Sequence, residues 1–302
     1  METSAWLNDF SQKIHLSQGA RQTLFETYER VVSAPEARAY WEQARVVLFD
    51  RTGYSFDTYR QTLEDLGSKM GIHPYTLHMT LVCVMAQTLR ERYIQANIPL
   101  EVFYNTMADV AYKAEESRSC WGVYGCRLAT WMYGFFIMDR FGLGRMQYEI
   151  RPFKGEQAFS HAGITLLPGE PVLNMHIPSG GPLTRPLRLD SYRRAHDFFR
   201  DRFPGKPTPI VCHSWLLYPR HDEFLPPTSN ILDFGRDFTL LTCEEEPQFS
   251  NAWRVFADKA DLPPEQWPED TALRRAYKQR VLEGKPTGAA YGVLLFDGSQ
   301  IL

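Results

Sequence analysis

Two histidines and one glutamate in the C-terminal half of the sequence are the residues best suited to proton transfer. His176, His213 and Glu149 each stand in a short apolar run with strand-like patterning. Histidine titrates near neutral pH, and a carboxyl group becomes a useful base when burial raises its pKa. Each residue also has a structural interpretation: the histidines as hydrogen-bonded core residues, and Glu149 as a solvent-facing position of an alternating strand. If the strands of His176 and His213 are neighbours, their imidazoles face one another.

A glycine-containing turn follows the strand that ends at His176. It contains Ser179, Gly180 and Gly181 and leads to a helix that begins near Asp190. Unpaired backbone N–H groups and the helix dipole favour an anion at such a strand-to-helix turn, so a phosphate or pyrophosphate could bind there. The same residues also suit a tight turn that merely ends a strand.

Common catalytic and metal-binding motifs are absent from the sequence. It contains no G-x-S-x-G, Walker, G-x-G-x-x-G or H-E-x-x-H pattern. The triplet Asp233-Phe234-Gly235 matches a kinase signature by letters alone, and it follows a helix start for which Thr228 or Ser229 is the predicted N-cap. His73 and His78 stand five residues apart, which does not place them on one helical face, so we expect no metal site.

The composition indicates an ordinary globular protein. Of the 302 residues, 44% are hydrophobic and 23% are charged, the formal net charge is −3 and the pI is near 6.3. These values argue against binding to nucleic acid or to an anionic membrane, which requires a basic surface. Five cysteines without a C-x-x-C pair indicate reduced thiols. Because the first residues lack a secretory pattern and the most apolar run, Trp131–Met138, is too short for a bilayer, we expect a cytoplasmic protein.

Residues 1–141 predict a helical N-terminal domain. Glycine and proline are sparse there, and apolar residues recur at three- and four-residue steps. We predict helices near 74–96 and 99–118, each opened by a proline, and a core helix over 122–141 that carries a wide apolar surface.

Residues 142–302 predict a second domain with an α/β (α+β) architecture. Short β-branched runs bounded by turn residues alternate with helical patterns, which favours a layered sheet over a barrel. The predicted strands are Met146–Phe153, Ala162–Leu167, Val172–Ile177, Pro209–Tyr218, Phe238–Glu244 and Tyr291–Phe296. The predicted helices are Leu189–Phe203, Asn251–Asp258 and Thr271–Glu283.

Several runs of the sequence resemble those of bacterial proteins described as acyltransferase-domain proteins, in which a helical N-acyltransferase N-terminal domain precedes a GNAT-like C-terminal domain. The runs are Trp121-Gly-Val-Tyr-Gly-Cys-Arg-Leu128, Val172-Leu-Asn-Met-His-Ile-Pro178, Asp190-Ser-Tyr192, Cys212-His-Ser-Trp-Leu-Leu217 and Ser229-Asn-Ile231. The resemblance covers nearly the whole chain from about residue 10. It implies a GNAT-like mixed sheet with flanking helices for residues 142–302.

The resemblance also implies a place for acyl-CoA. The strands of His176 and His213 would be the splayed central pair of a GNAT sheet, between which the pantetheine arm enters, and the turn after His176 would meet the pyrophosphate. The cofactor-binding residues would be Ile177, Ser179, Gly180, Gly181 and Thr184. The [Q/R]-x-x-G-x-[G/A] loop of the superfamily is missing, and Ser-Gly-Gly-Pro stands in its place.

The expected activity is acyl-CoA-dependent transfer of an acyl group to a small amine or hydroxyl acceptor. Glu149 or His213 would be the base. His176 would orient the thioester carbonyl or pass the proton, and Tyr218 would protonate the thiolate. The alternatives are a non-catalytic binding or scaffold protein that keeps the GNAT-like fold, and a hydrolase that uses a serine with a histidine. The sequence leaves the acyl chain, the acceptor and the oligomeric state open.

Overall fold

The computed structural model describes residues 2–49, 53 and 55–302, which form two compact units. The first unit ends at Gly142 and the second begins at Leu143. The helices described in the first unit are α1 (Thr3–Lys13), α2 (Gln18–Ser33), α3 (Pro35–Phe49), α4 (Phe56–Met70), α5 (Pro74–Gln95), α6 (Leu100–Met107), α7 (Asp109–Trp121) and α8 (Tyr133–Phe136). Among the described residues, no helix has the length and apolar character needed to cross a membrane.

Helix α5 forms the core of the first unit and confirms the helix predicted near 74–96. Pro74 lies in its first turn, where the missing N–H breaks no intrahelical hydrogen bond. Buried residues occur on every side of this helix, which is typical of a core helix. Trp6 of α1 packs against it and donates its indole N–H to the carbonyl oxygen of Cys83 at 2.9 Å.

Two further predictions for this unit need correction. The helix predicted over 99–118 divides into α6 and α7 at Ala108. The core helix predicted over 122–141 is wrong, because α7 ends at Gly122 in the left-handed conformation (φ 75°) and only the short α8 follows it.

The segment after Gly122 packs closely against α5 instead of forming the predicted helix. A Cβ atom at Gly125 would lie 2.5 Å from the carbonyl carbon of Tyr75, so only glycine fits at this position. The next amide, that of Cys126, donates to the carbonyl oxygen of Tyr75 at 3.0 Å instead of to a helical partner. Phe135 and Phe136 are fully buried, so the apolar periodicity of this segment reflects burial without a continuous helix.

The second unit is built on a mixed sheet, which confirms the α/β (α+β) architecture. Within the described residues this sheet has six strands in the order β1-β2-β5-β6-β8-β7, and β3 pairs separately with β4. The strands are β1 (Arg140–Leu143), β2 (Met146–Pro152), β3 (Phe159–His161), β4 (Ile164–Leu166), β5 (Pro171–His176), β6 (Thr208–Ser214), β7 (Thr239–Glu246) and β8 (Thr287–Phe296). The flanking helices are α9 (Arg185–Phe199), α10 (Asn230–Gly235), α11 (Ala252–Phe256) and α12 (Ala272–Leu282).

Some of the predicted bounds in this unit are wrong for local reasons. The strand predicted to reach Tyr218 ends at Ser214, because the Ser214 hydroxyl accepts from the amide of Leu216 at 3.1 Å and starts a 3-10 turn. Helix α9 begins at Arg185 and not at Leu189, since a proline occupies its first turn. The strands β1 and β3 were not predicted.

Helix α9 covers one face of the sheet. The hydroxyl of Tyr148 in β2 lies 2.9 Å from that of Ser191, which also accepts from the amide of Met146 at 3.0 Å. The ring of Tyr192 packs on Phe296 of β8 with 6.0 Å between ring centroids. The opposite face carries an apolar cluster of Phe153, Leu166, Val172, Val211, Tyr291, Val293 and Leu295. Because side chains alternate along a strand, the neighbours of Tyr148 in β2 point to this second face.

A buried charge network fixes the start of α9. Arg188 is fully buried, its Nε donates to Oδ2 of Asp237 at 2.7 Å, and its Nη2 donates to Oδ2 of Asp233 at 2.8 Å. Its Nη1 donates to the carbonyl oxygen of Leu183 at 2.9 Å, which ties the turn before α9 to the network. The Arg188 guanidinium lowers the pKa of the Asp233 carboxyl group. Asp233 of the kinase-like triplet is therefore an ion-pairing residue.

Acidification is expected to destabilise the second unit through His221. Its imidazole is 2% exposed, and its Nε2 lies 2.6 Å from the hydroxyl oxygen of Tyr277. Burial, together with the nearby Arg280 guanidinium, lowers the pKa of His221 from 6.5 to about 4. The unfolded chain therefore binds a proton that the folded chain excludes. The neutral, buried His221 therefore stabilises the fold fully only above its ordinary pKa of 6.5. As the pH falls from there toward 4, the free energy of unfolding decreases by roughly 3 kcal/mol in total.

Urea unfolding at a series of pH values between neutrality and pH 4 measures this effect. The variant His221→Gln should show a shallower loss of unfolding free energy than wild type over that interval. His161→Gln is the matched control, because His161 is exposed in β3. If His221→Gln keeps the wild-type slope, another group causes the pH dependence.

Candidate active site

The pairing of β2 with β5 brings two of the predicted site residues together. In the antiparallel register Glu149 lies opposite Asn174, and Gln147 lies opposite His176, so these side chains share one face of the sheet. Oε1 of Glu149 lies 2.9 Å from Nε2 of His176. The two residues form a carboxylate–imidazole pair at the end of β5.

The Glu149 carboxylate is buried and held by hydrogen bonds. Its side chain is 4% exposed, which rules out the solvent-facing position considered from the sequence. Nη2 of Arg151 donates to its Oε2 at 2.7 Å, and Nδ2 of Asn174 donates to its Oε1 at 3.2 Å. The His176 side chain is 24% exposed, so it is the member of the pair that a substrate can reach.

This arrangement suits general base catalysis by the imidazole. A carboxylate beside a histidine fixes the orientation of the ring and stabilises the imidazolium that forms when the histidine takes a proton. The amide of Asn174 lies 3.1 Å from Nε2 of His176 and restrains the same ring atom. The site can therefore accept a proton from a nucleophile bound next to His176.

The parallel strands β5 and β6 separate beside this pair. Their register consists of Leu173↔Ile210 and Asn174↔Val211, although β5 continues to His176 and β6 to Ser214. Each strand stays paired on its other side, β5 with β2 and β6 with β8. The ladder between β5 and β6 therefore stops two residues before β5 ends, as in a splayed strand pair.

The turn between β5 and α9 is shaped by Arg145. The Nη2 of Arg145 donates to the carbonyl oxygens of Pro178 and Gly181 at 2.9 and 3.1 Å, and its Nε donates to that of Pro182 at 3.1 Å. A peptide C=O and the N–H of the same peptide plane point in opposite directions. The amides that follow Pro178 and Pro182 are thus directed away from Arg145. Gly181 adopts φ 77°, a conformation that glycine enters readily.

All the residues predicted to bind coenzyme A lie in this connection. Ile177 follows β5 directly, Ser179, Gly180 and Gly181 form the bend, and Thr184 is the N-cap position of α9. The carbonyl oxygen of Thr184 accepts from the amide of Arg188 at 3.1 Å, which starts the helix. The first turn of α9 contains no acidic residue of its own, which suits an anion at this end of the helix.

The other two predicted catalytic residues have acidic partners in β7. The His213 side chain is 51% exposed, and its Nε2 lies 3.9 Å from a carboxylate oxygen of Glu244 in β7. Tyr218 is buried, and its hydroxyl donates to Oε1 of Glu245 at 3.2 Å. Burial raises the pKa of Tyr218.

Sequence reasoning missed several polar residues around the site. Asn174, Arg151 and Arg145 were not proposed, although each contacts a predicted site residue or shapes the turn. A signal for two of them exists in the sequence: Gln147, Glu149 and Arg151 alternate along one strand, and Asn174 precedes His176 by two residues. Polar residues at every second strand position on a covered face indicate a functional face.

Among the described residues, no group of three or more histidine, cysteine, aspartate and glutamate side chains is arranged to hold a metal ion.

Family models match both halves of the chain. Residues 5–138 match the family model of the N-acyltransferase N-terminal domain, and residues 141–294 match that of the GNAT-like C-terminal domain. A solved structure of an acyltransferase in complex with decanoyl-CoA is similar, with 23% identity, a TM-score of 0.70 and coverage of 95% of this chain and 86% of the other.

Two further solved structures resemble the fold equally well. An acyltransferase in complex with decanoyl-CoA and teicoplanin has 19% identity, a TM-score of 0.70 and coverage of 96% of this chain and 87% of the other. A mutant acyltransferase in complex with octanoyl-CoA has the same identity, TM-score and coverage. No curated protein sequence matches the chain significantly.

Proposed function

Because the chain belongs to the family that joins an N-acyltransferase N-terminal domain to a GNAT-like C-terminal domain, we propose that it transfers an acyl group from acyl-CoA to a small amine or hydroxyl acceptor. Residues 142–302 would carry the reaction, and residues 1–141 would form the helical domain. One observation supports this above all: the buried Glu149–His176 pair stands where the parallel strands β5 and β6 separate. In this proposal the base would stand beside the unpaired ends of these two strands.

The acyl donor would use the splayed strands and the turn that follows. Amide groups of a pantetheine arm can pair with the strand edges of β5 and β6 beyond Asn174 and Val211, as a peptide pairs with a sheet edge. The pyrophosphate would bind at the turn, where the amides that point away from Arg145 and the N-terminus of α9 both favour an anion. The similar acyltransferases that hold decanoyl-CoA or octanoyl-CoA make medium-chain thioesters the first donors to test.

His176 would act as the general base, and Glu149 would orient it. As the amine or hydroxyl attacks the thioester carbonyl, His176 accepts its proton, a new C–N or C–O bond forms and the C–S bond breaks. The imidazolium, stabilised by Glu149, then returns the proton to the departing thiolate. Alignment of the two substrates would contribute further to the rate. No covalent enzyme intermediate is needed.

His213 and Tyr218 have smaller parts in this proposal. His213 is exposed beside Glu244, and Tyr218 is engaged with Glu245, so each has an acidic partner other than Glu149. Tyrosine is protonated at neutral pH and burial raises the pKa of Tyr218 further, so its hydroxyl would be a second proton donor for the thiolate.

Calorimetric titration with coenzyme A, acetyl-CoA and decanoyl-CoA tests the donor site. We expect wild type to bind in the micromolar range and Arg145→Met to bind about tenfold or more weakly, because the turn loses its charged hydrogen bonds. Decanoyl-pantetheine, which lacks the pyrophosphate, should bind both proteins equally. Arg193→Met removes the same charge from an exposed position of α9 and is the control.

The outcomes separate the parts of the proposal. If wild type binds no thioester, the acyltransferase function is wrong, and a non-catalytic module that keeps the fold becomes the better account. If Arg145→Met binds decanoyl-CoA as well as wild type does, the turn is not the pyrophosphate site. If Arg193→Met loses as much affinity for decanoyl-CoA as Arg145→Met does, the loss reflects the removal of a positive charge in general.

A further inference from the structure

Gln147 is a buried residue next to the base that the proposed reaction does not use. It lies directly opposite His176 in the register of β2 and β5, on the face that carries Glu149. Gln147 is 2% exposed. Its Oε1 is buried and has no hydrogen-bond partner among the residues that the structure describes.

An unpaired buried amide oxygen is costly in free energy and is rare in folded proteins. On the same face, Glu149 and Asn174 satisfy each other and His176. Nothing about the strand requires a polar residue opposite His176, since an apolar side chain would suit a buried position better. A donor on a ligand that approaches beside the partly exposed His176 would satisfy the oxygen of Gln147.

We propose that Gln147 binds the acyl acceptor: its side-chain oxygen accepts a hydrogen bond from the nucleophilic group while His176 accepts the hydrogen that is transferred. This inference rests on the proposed acyl transfer. The acyl donor is the less suitable partner, because the open strand edges of β5 and β6 already offer backbone groups to a pantetheine arm. The face of Gln147 and His176 is the place for the nucleophile itself.

The arrangement makes Gln147 a specificity-determining residue. A primary amine carries two N–H hydrogens and can serve both Gln147 and His176 at once. A hydroxyl group carries one hydrogen, so its binding to His176 leaves the Gln147 oxygen unpaired. Sites that leave a buried polar group without its partner discriminate strongly against the analogue that lacks the hydrogen. Gln147 should therefore favour an amine over the alcohol of the same carbon skeleton.

The test uses the full-length variant Gln147→Met, which keeps the size of the side chain and removes its polar atoms. With decanoyl-CoA as donor and matched pairs of amines and alcohols as acceptors, kcat/KM for the best amine should fall about tenfold to a hundredfold. The rate with the matching alcohol should stay within about twofold, so the preference for the amine shrinks. Gln157→Met, at an exposed position, is the control and should leave both rates unchanged.

A second measurement separates binding from structure. Urea unfolding of Gln147→Met without ligand should show equal or higher stability than wild type, because an unpaired buried oxygen has been removed. An unchanged amine rate, or an unfolding constant at least tenfold higher than that of wild type, would overturn the inference. If the variant binds decanoyl-CoA as tightly as wild type does, its donor site is intact. If wild type itself does not bind decanoyl-CoA, the proposed function is refuted.

Discussion

Changing His176 to alanine is expected to slow acyl transfer by about 10²–10⁴-fold, the range typical for loss of a general base. The reason is geometric: His176 is the reachable member of a buried carboxylate–imidazole pair whose atoms lie 2.9 Å apart. Glu149→Gln should give a loss of similar order, because glutamine fills the same space but does not stabilise an imidazolium. The measurement is the release of coenzyme A in single turnovers with decanoyl-CoA and a reactive amine.

The double variant is an internal check on this pair. If His176 and Glu149 act as one unit, the double variant is about as slow as the worse single variant, since effects of coupled catalytic residues do not add. His213→Ala is the matched control, and because His213 is exposed beside Glu244 it should keep nearly full turnover. Full turnover in His176→Ala would show that the base lies elsewhere. The rates can be compared only among variants that bind decanoyl-CoA with the affinity of wild type.

Asp237→Ala is expected to lower the free energy of unfolding by about 3–5 kcal/mol, the usual result when one partner of a buried ion pair is removed. The Asp237 side chain is 1% exposed and receives hydrogen bonds from Arg188 at 2.7 Å and from Tyr192 at 3.0 Å. Without it, the fully buried Arg188 guanidinium keeps only the partly exposed Asp233 as a charged partner. Urea unfolding monitored by circular dichroism measures the change.

An exposed pair on the same helix provides the comparison. Asp190 contacts Arg194 at 2.7 Å, but both side chains are more than one third exposed, so Asp190→Ala should change stability by about 0–1 kcal/mol. Replacing both Arg188 and Asp237 with apolar residues should recover part of the loss, because no buried charge is then left unpaired. A loss in Asp237→Ala no larger than that in Asp190→Ala would mean that the network adds little to the stability of this unit.

Local sequence patterns predicted most of the helices and strands, but not the places where tertiary contacts interrupt them. Pro74 marks the start of α5 because a first-turn proline is a local feature. The helix expected over 122–141 failed because the decisive contact, Gly125 against the backbone of Tyr75, joins residues that are far apart in the chain. Such a contact leaves no trace in the spacing of apolar residues. The strand β1 was missed because its first residues were assigned to the end of that expected helix.

Individual residues of the site could be predicted from the sequence, but the contacts between them could not. Glu149 and His176 could be nominated because each is a titratable residue in an apolar strand. Their contact depends on the antiparallel register of β2 and β5, and a single sequence does not fix which strands pair or in what register. Arg145 was missed because an arginine after a glycine turn carries no motif, and only the folded turn shows which carbonyl groups it meets.

The register of β2 against β5 also determines where the chain can change in length. Between these strands lies the β3–β4 hairpin, where an added residue only lengthens an exposed loop. An insertion that slips β2 by one position would instead turn Glu149 toward α9 and Tyr148 away from Ser191. A single event would then remove both the carboxylate beside His176 and a core contact of the helix. Related chains should therefore vary freely in the length of the hairpin and keep β2 free of insertions and deletions.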